Sequence, residues 1–222
     1  MSADVRAHRA RGWRVHTLAP DFELLDLWEV PLDADPSHGE TFAEFLRVFL
    51  ASGADLWPVY RLRPTSFADA VHAARLGGAL ALLRFRRVLG LLLRLDADRA
   101  LAIPGCREER VRARLDDADR AADTGLLPSR VGSAFEPVYA FAEEALLEIA
   151  NRTIHALLHL SWVAAPNGHR TVVLAIYVKS RGWQSRAYLA LIRPFRHMVV
   201  YPAWIAHLTR TWDVLRPSVR GA

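Results

Sequence analysis

His155 and His159 stand four residues apart, which puts both imidazoles on one face of a helix or a strand. Two such rings could share a metal ion. The residues between them, Ala156, Leu157 and Leu158, supply no catalytic glutamate, and a third ligand would have to come from elsewhere in the chain, so no metal is assigned. The favoured reading is that both rings are hydrogen-bonded on a sheet surface or at a subunit contact, with pocket lining as the functional alternative. A second group lies near the C-terminus, where Arg193, Arg196 and His197 flank Phe195, close to Arg186 and Tyr188. A guanidinium or imidazole facing an apolar cavity would fix the carboxylate or phosphate of a ligand. The competing and favoured role for Arg193 and Arg196 is an outer-face or salt-bridged one that ties the helix to a strand, with Glu143, Glu144 or Glu148 as partner. If the protein is an enzyme, His155, His159 and His197 are the candidate general acids or bases, because histidine alone titrates near neutrality without help. Together with Tyr177, the residues His155, His159, Tyr188, Arg193, Arg196 and His197 make up the candidate ligand-binding set. The glycines are scattered and Gly77-Gly78 follows no strand, so there is no phosphate-cradling loop and no cofactor is implied.

These residues need elements to hold them. Trp13–Leu18 alternates and precedes a Pro-Asp turn, which predicts a strand; Phe22–Trp28 is a short apolar segment of no assignable type. Thr41 and Glu44 form a capping box ahead of Phe42, Phe45, Leu46, Phe49 and Leu50, which recur at helical spacing up to Gly53. Ser66 opens a further helix that continues to about Leu95, with a break at Gly77-Gly78. From Arg107 to Asp123, 11 of 17 residues are charged, and the pairs Glu108–Arg112 and Asp116–Arg120 have helical spacing. That predicts a solvated surface helix or an insertion, at about residues 96–132, in a single domain. Strands are predicted from Glu136 to Phe141, on to Ala150, from Thr153 to Val163 after a turn at Asn151-Arg152, and from Arg170 to Ser180 after the turn Pro166-Asn167-Gly168. Helical periodicity through Leu146, Ile149, Ala150, Ile154 and Leu157 competes with the strand reading. Gln184–Leu215 reads as one long helix, interrupted where Pro194 and Pro202 each remove a hydrogen bond. Its sheet-facing stripe is Ile192, Phe195, Val199 and Ala203, with Arg196 at the edge. Trp162, Trp183, Trp204 and Trp212 read as core.

Composition narrows the function classes. The chain has 222 residues, 52% apolar and 24% charged, long enough to bury a full core without staples. Cys106 is the only cysteine, which excludes an intrachain disulfide and a four-thiolate cluster. The basic N-terminus is not followed by the apolar run of a secretory signal, so a cytoplasmic location is expected. Leu76–Leu95 contains four arginines, too many for a membrane span. The net charge of +5 is polarised: residues 151–222 hold ten basic residues and one acid, Asp213, whereas residues 1–150 hold 19 basic and 23 acidic. The C-terminal third therefore attracts anions. Nucleic-acid binding is not expected, because the basic residues are interleaved with core positions.

Three stretches carry a resemblance: Glu148–Val163 (EIANRTIHALLHLSWV), Tyr188–Pro202 (YLALIRPFRHMVVYP) and Ala19–Trp28 (APDFELLDLW). They resemble the bacterial family catalogued as domain of unknown function 2867, over about Trp13–Trp212. That family is in turn similar to the polyketide-cyclase-like, START-like (SRPBCC) superfamily. The resemblance implies an α+β fold of the helix-grip kind: a curved antiparallel sheet wrapped around a long C-terminal helix, with a cavity between them and additional helices in the N-terminal half. It favours strands at Leu146–Leu157 and supplies no catalytic residues. The expectation is thus a protein that binds a small hydrophobic or amphipathic anionic ligand in that cavity. A cyclase-, isomerase- or hydrolase-type enzyme and a structural oligomer with a collapsed cavity are the alternatives, with a homodimer left open.

Overall fold

The computed structural model describes residues 4–52, 110–131, 135–150, 154–165, 168–180, 183–191 and 193–219. In chain order the elements are α1 (Val5–Ala10), α2 (Arg14–Leu18), β1 (Glu23–Ala34), α3 (Phe42–Ala51), a 3-10 turn (Val111–Arg114), α4 (Asp117–Ala122), β2 (Glu136–Ala140), β3 (Glu144–Ala150), β4 (Ile154–Ala164), β5 (Arg170–Ser180) and α5 (Trp183–Leu191). A short α-turn (Arg193–Phe195) and a π-helical turn (Arg196–Val200) then lead into α6 (Tyr201–Val219). The helix expected over Ser66–Leu95 lies outside the described residues.

The strands form one antiparallel sheet in the order β1-β5-β4-β3-β2. From β2 to β5 each strand pairs with the one before it, as the alternating sequence and its turns predict. The β4–β5 hairpin pairs without interruption from Ile154 opposite Ser180 to Ala164 opposite Arg170. Its turn needs Gly168, whose φ of 82° lies in the left-handed region that a Cβ disfavours. The segment left untyped, Phe22–Trp28, contributes the first half of β1. This strand adds to the free edge of β5, and its register slips by one between Leu24 and Asp26.

Both faces of the sheet are covered. Over one face lie α3 and α6, whose Phe42, Phe45, Phe49, Trp204, Leu208 and Trp212 pack on Val30, Leu147, Leu158, Leu160, Trp162 and Leu174. The helix α3 starts at the expected capping box: the Glu44 amide donates to Thr41 Oγ1 and the Thr41 amide donates to Glu44 Oε2. Over the other face lie α2 and the Val111–Leu115 segment, which bury Val15, Leu18, Val111 and Leu115 against Tyr139, Leu146, Leu157, Val173 and Tyr177. With two faces to cover, the alternating strands become apolar on both sides, which is why helical and strand periodicities competed in the sequence.

Three expectations need correction. Trp13–Leu18 is not a strand, since Arg14–Leu18 is helical. Val15 and Leu18, three apart, both reach the core, and Arg14 is anchored by its amide to Glu144 and by its guanidinium to Asp116 and Asp119 at 2.8 Å each. The charged segment is not merely solvated either. Arg110 pairs with Glu136, Arg112 donates to the Pro137 carbonyl, and Arg114 donates to the Leu18 carbonyl and to Asp21, so the charges fasten the segment to the sheet. Arg120 pairs with Asp117 rather than Asp116, which instead caps α4. Finally, Trp183 is 76% exposed, whereas Trp162, Trp204 and Trp212 are core as read. The C-terminal helix does change character at its prolines: Pro194 lies in the short α-turn, and Pro202, which cannot donate to the Met198 carbonyl, is the second residue after the π-turn.

Candidate functional site

The candidate residues divide between the two faces. His155, His159 and Tyr177 lie on the face covered by α1 and α2. Arg196 and His197 lie over the opposite face, Arg193 is exposed, and Tyr188 belongs to α5. They do not form one site.

The first group is a buried polar network. His155 and His159 are sealed from solvent rather than lying on a surface. His159 Nε2–H donates to Glu144 Oε2 at 2.9 Å, and His155 Nε2–H donates to Glu148 Oε1 at 2.5 Å. Each pair is diagonal across the β3–β4 ladder, because His159 sits opposite Leu146 and His155 opposite Ala150, two positions beyond the respective glutamate. The signal for this was present in the sequence: Glu144 and Glu148 are four apart, as are His155 and His159, about a turn at Asn151-Arg152. Each carboxylate also holds a main-chain amide of the covering layer, Glu144 that of Arg14 at 2.9 Å and Glu148 that of Val111 at 3.1 Å. Glu144 takes a further hydrogen bond from Tyr139 Oη at 2.8 Å. Burial pushes the Glu144 carboxyl up, but the bonds from His159, Arg14 and Tyr139 outweigh it and hold the group below its ordinary value.

Beside it, Tyr177 Oη lies 2.8 Å from His8 Nε2 and 3.0 Å from His16 Nε2. His16 Nδ1 faces the Arg11 carbonyl at 3.1 Å and must carry the proton there. With that proton on Nδ1, Nε2 of the ring accepts the Tyr177 O–H, and burial lowers the His16 pKa. His8 Nε2–H then donates to Tyr177. Burial, followed by the neighbouring His159 and His16, brings His8 down to about 3, which keeps it neutral. The described residues contain no group of three or more His, Cys, Asp or Glu able to hold a metal. These contacts fasten α1 and α2 to the sheet, and they leave His155 Nδ1 and His159 Nδ1 buried without a hydrogen-bond partner.

The second group is built around Asp26, which the sequence reading missed. The register slip between Leu24 and Asp26 leaves Leu24 opposite Tyr177 but Asp26 opposite Ile176, which turns the Asp26 side chain to the α6 face. There its carboxylate is 2% exposed and accepts from His197 Nε2–H at 2.6 Å and from Tyr201 Oη at 2.7 Å, with the Arg196 guanidinium 3.6 Å away. The acid partner of Arg196 is therefore Asp26. The glutamates expected in that role are engaged elsewhere, Glu143 with Arg170, Glu144 with His159 and Glu148 with His155. Burial and then the Asp26 charge push the Tyr201 phenol well up, so it stays a donor. His197 sits on the π-turn, is 36% exposed, and packs against Trp28 and Tyr201. A buried carboxylate that holds one ring nitrogen fixes the imidazole's orientation and leaves Nδ1 as its reactive atom. Nδ1 has no partner among the described residues.

A family model described as Protein of unknown function (DUF2867) matches residues 18–203, a span that contains Asp26, His197 and Tyr201. No curated protein and no solved structure matches the chain. No described helix is long and apolar enough to cross a membrane.

Proposed function

The chain belongs to the DUF2867 family, and we propose that it binds a small, largely apolar molecule with an acidic group, using His197 as the polar anchor. One observation carries this reading. A register slip in β1 and a π-turn in the C-terminal helix, two backbone irregularities on different elements, meet at the Asp26–His197 pair. Such irregularities re-aim side chains and occur preferentially at functional sites. The reading takes the sheet and its C-terminal helix as a helix-grip arrangement within one domain. It puts the ligand at the π-turn end, because toward Trp212 the space between α6 and the sheet is filled by Phe45 and Trp162. The ligand's acid would meet His197 at Nδ1, the ring nitrogen that Asp26 leaves without a partner. Arg196 acts behind it, offsetting the Asp26 charge.

A second reading, general acid–base catalysis by His197, is favoured by the same 2.6 Å contact, since a carboxylate behind an imidazole is how a catalytic histidine is oriented. Neither reading uses His155 or His159, which are buried against Glu148 and Glu144. Native mass spectrometry of the purified protein tests the binding reading. A co-purifying acidic small molecule that is retained by wild type and lost from His197→Ala supports it. Retention by His197→Ala, or a wild type with nothing bound that shows no thermal shift with medium-chain carboxylic acids, rejects it.

A further inference from the structure

The helix α5 is amphipathic with its apolar stripe turned outward. Among its described side chains the buried one is Leu189, which packs on Ala156 and Val178 of the sheet. Away from that contact, Trp183, Ala187, Ala190 and Leu191 follow the i, i+4, i+7, i+8 spacing that ordinarily faces a core. All four are exposed, Trp183 at 76% and Leu191 at 56%, and Met198 on the π-turn adds a third large apolar side chain at 71%. Three of the five large hydrophobic residues exposed among the described residues thus fall within 16 positions of one another.

The charges that this stretch of chain itself contributes are basic. Arg186 and Arg193 are exposed on it and no described carboxylate pairs with either. From Ile149 to Trp212 the sequence contains no Asp or Glu at all, against eight Arg and Lys. A second copy of the chain meeting this face symmetrically would set the arginines of one copy against those of the other. A nucleic acid would match the charge but leave Leu191 and Met198 against phosphates. A surface that is anionic outside and hydrocarbon beneath satisfies both halves of the pattern, with tryptophan at the boundary it favours.

We infer that α5 and the exposed side of the π-turn dock on an anionic lipid surface, with Trp183, Leu191 and Met198 entering the boundary between headgroups and acyl chains and Arg186 and Arg193 meeting lipid phosphates. Nothing in this depends on a ligand at His197, although that site adjoins Met198 and would open near the same surface.

Flotation of the whole protein with vesicles tests it, comparing pure phosphatidylcholine with phosphatidylcholine containing about 30% phosphatidylglycerol, a mixture whose surface is negative. Binding to the second and not the first is expected, weakening as salt is raised. Trp183→Ser and the double variant Arg186→Gln/Arg193→Gln should each lose about tenfold in partitioning, on the scale of one large apolar side chain or two basic ones, with circular dichroism unchanged. Because the substituted residues are on the surface, either variant suffices if the other misfolds. Absence of binding, equal binding to both vesicles, or wild-type binding by the variants overturns the inference. So does a dimer by light scattering that Trp183→Ser dissociates, or an oligonucleotide bound in preference to the vesicles. A Trp183 fluorescence contribution, taken as wild type minus Trp183→Phe, that acrylamide fails to quench in the free protein would show the face already covered, with the same result.

Discussion

His197 Nε2 and Asp26 Oδ1 lie 2.6 Å apart across 171 residues of chain. Asp26 reaches the α6 face because β1 slips by one residue, and His197 is presented by the single π-turn among the described residues. Of the three candidate histidines, His197 is the one that solvent reaches, and a buried acid holds it.

Removing the groups that offset the Asp26 charge should be costly. Tyr201→Phe deletes a hydrogen bond to a buried carboxylate and should lower stability by about 1.5–3 kcal/mol, and Arg196→Ala by about 3 kcal/mol, because it leaves that carboxylate short of its cation. Urea unfolding of both variants measures this. Losses under about 0.5 kcal/mol, the level of a surface substitution, would mean that Asp26 is hydrated in solution.

The diagonal pair Glu144–His159 should be thermodynamically coupled. A double-mutant cycle with Glu144→Gln and His159→Gln is expected to give a coupling energy of about 1–3 kcal/mol. Because Glu144 also holds the Arg14 amide, Glu144→Gln should speed tryptic cleavage between Arg6 and Arg14 more than Glu148→Gln does. Equal cleavage rates in the two variants would contradict the assignment of Glu144 to α2.

Acid should loosen the same layer before most carboxylates titrate. Folded His8 takes a proton only at about pH 3, while the released side chain takes one near 6.5, so between those values the unfolded state binds more protons. The contribution of His8 is therefore complete above about 6.5 and is lost progressively as the pH falls toward 3. Glu144, held below its ordinary 4.5, adds a second loss that starts lower. Melting temperature recorded by circular dichroism should already be falling at pH 6 to 5, and His8→Gln should flatten that limb, while a wild-type curve level down to pH 5 would count against a neutral buried His8.

Thr41→Ala should destabilise by about 1 kcal/mol, as loss of an N-cap does. Hydrogen exchange at the first-turn amides of α3 reports it directly, and unchanged protection at Glu44 would show that the capping box contributes nothing in solution.

The features that were legible in the sequence are local ones. The hairpins from Glu136 to Ser180 follow from alternation bounded by Asn151-Arg152 and Pro166–Gly168, and α3 follows from Thr41 and Glu44. Pairing Glu144 with His159 and Glu148 with His155 needed only the hairpin register applied to two equal spacings. Trp13–Leu18 alternates like a strand, but its helix is anchored through Arg14 to Asp116 and Asp119, about a hundred residues away. Asp26 could not be found at all from alternation, since a slipped register reverses the face that alternation assigns. Its position three residues after Glu23 carries no mark of the bulge.

The place of β1 in the sheet bears on how the chain is made. Glu23 pairs with Val178, 155 residues later, whereas β2 to β5 close one after another between Glu136 and Ser180. At synthesis rates of about 5–20 residues per second, β1 leaves the ribosome roughly 8–30 s before β5, its partner among the described strands, exists. Throughout that interval a twelve-residue strand carrying Leu24, Leu25, Leu27, Trp28, Val30 and Leu32 has no edge to join. Nascent chains of this topology are exposed to chaperone capture and to pairing with one another at the N-terminal strand, and translation speed over the stretch before β5 sets how long that exposure lasts.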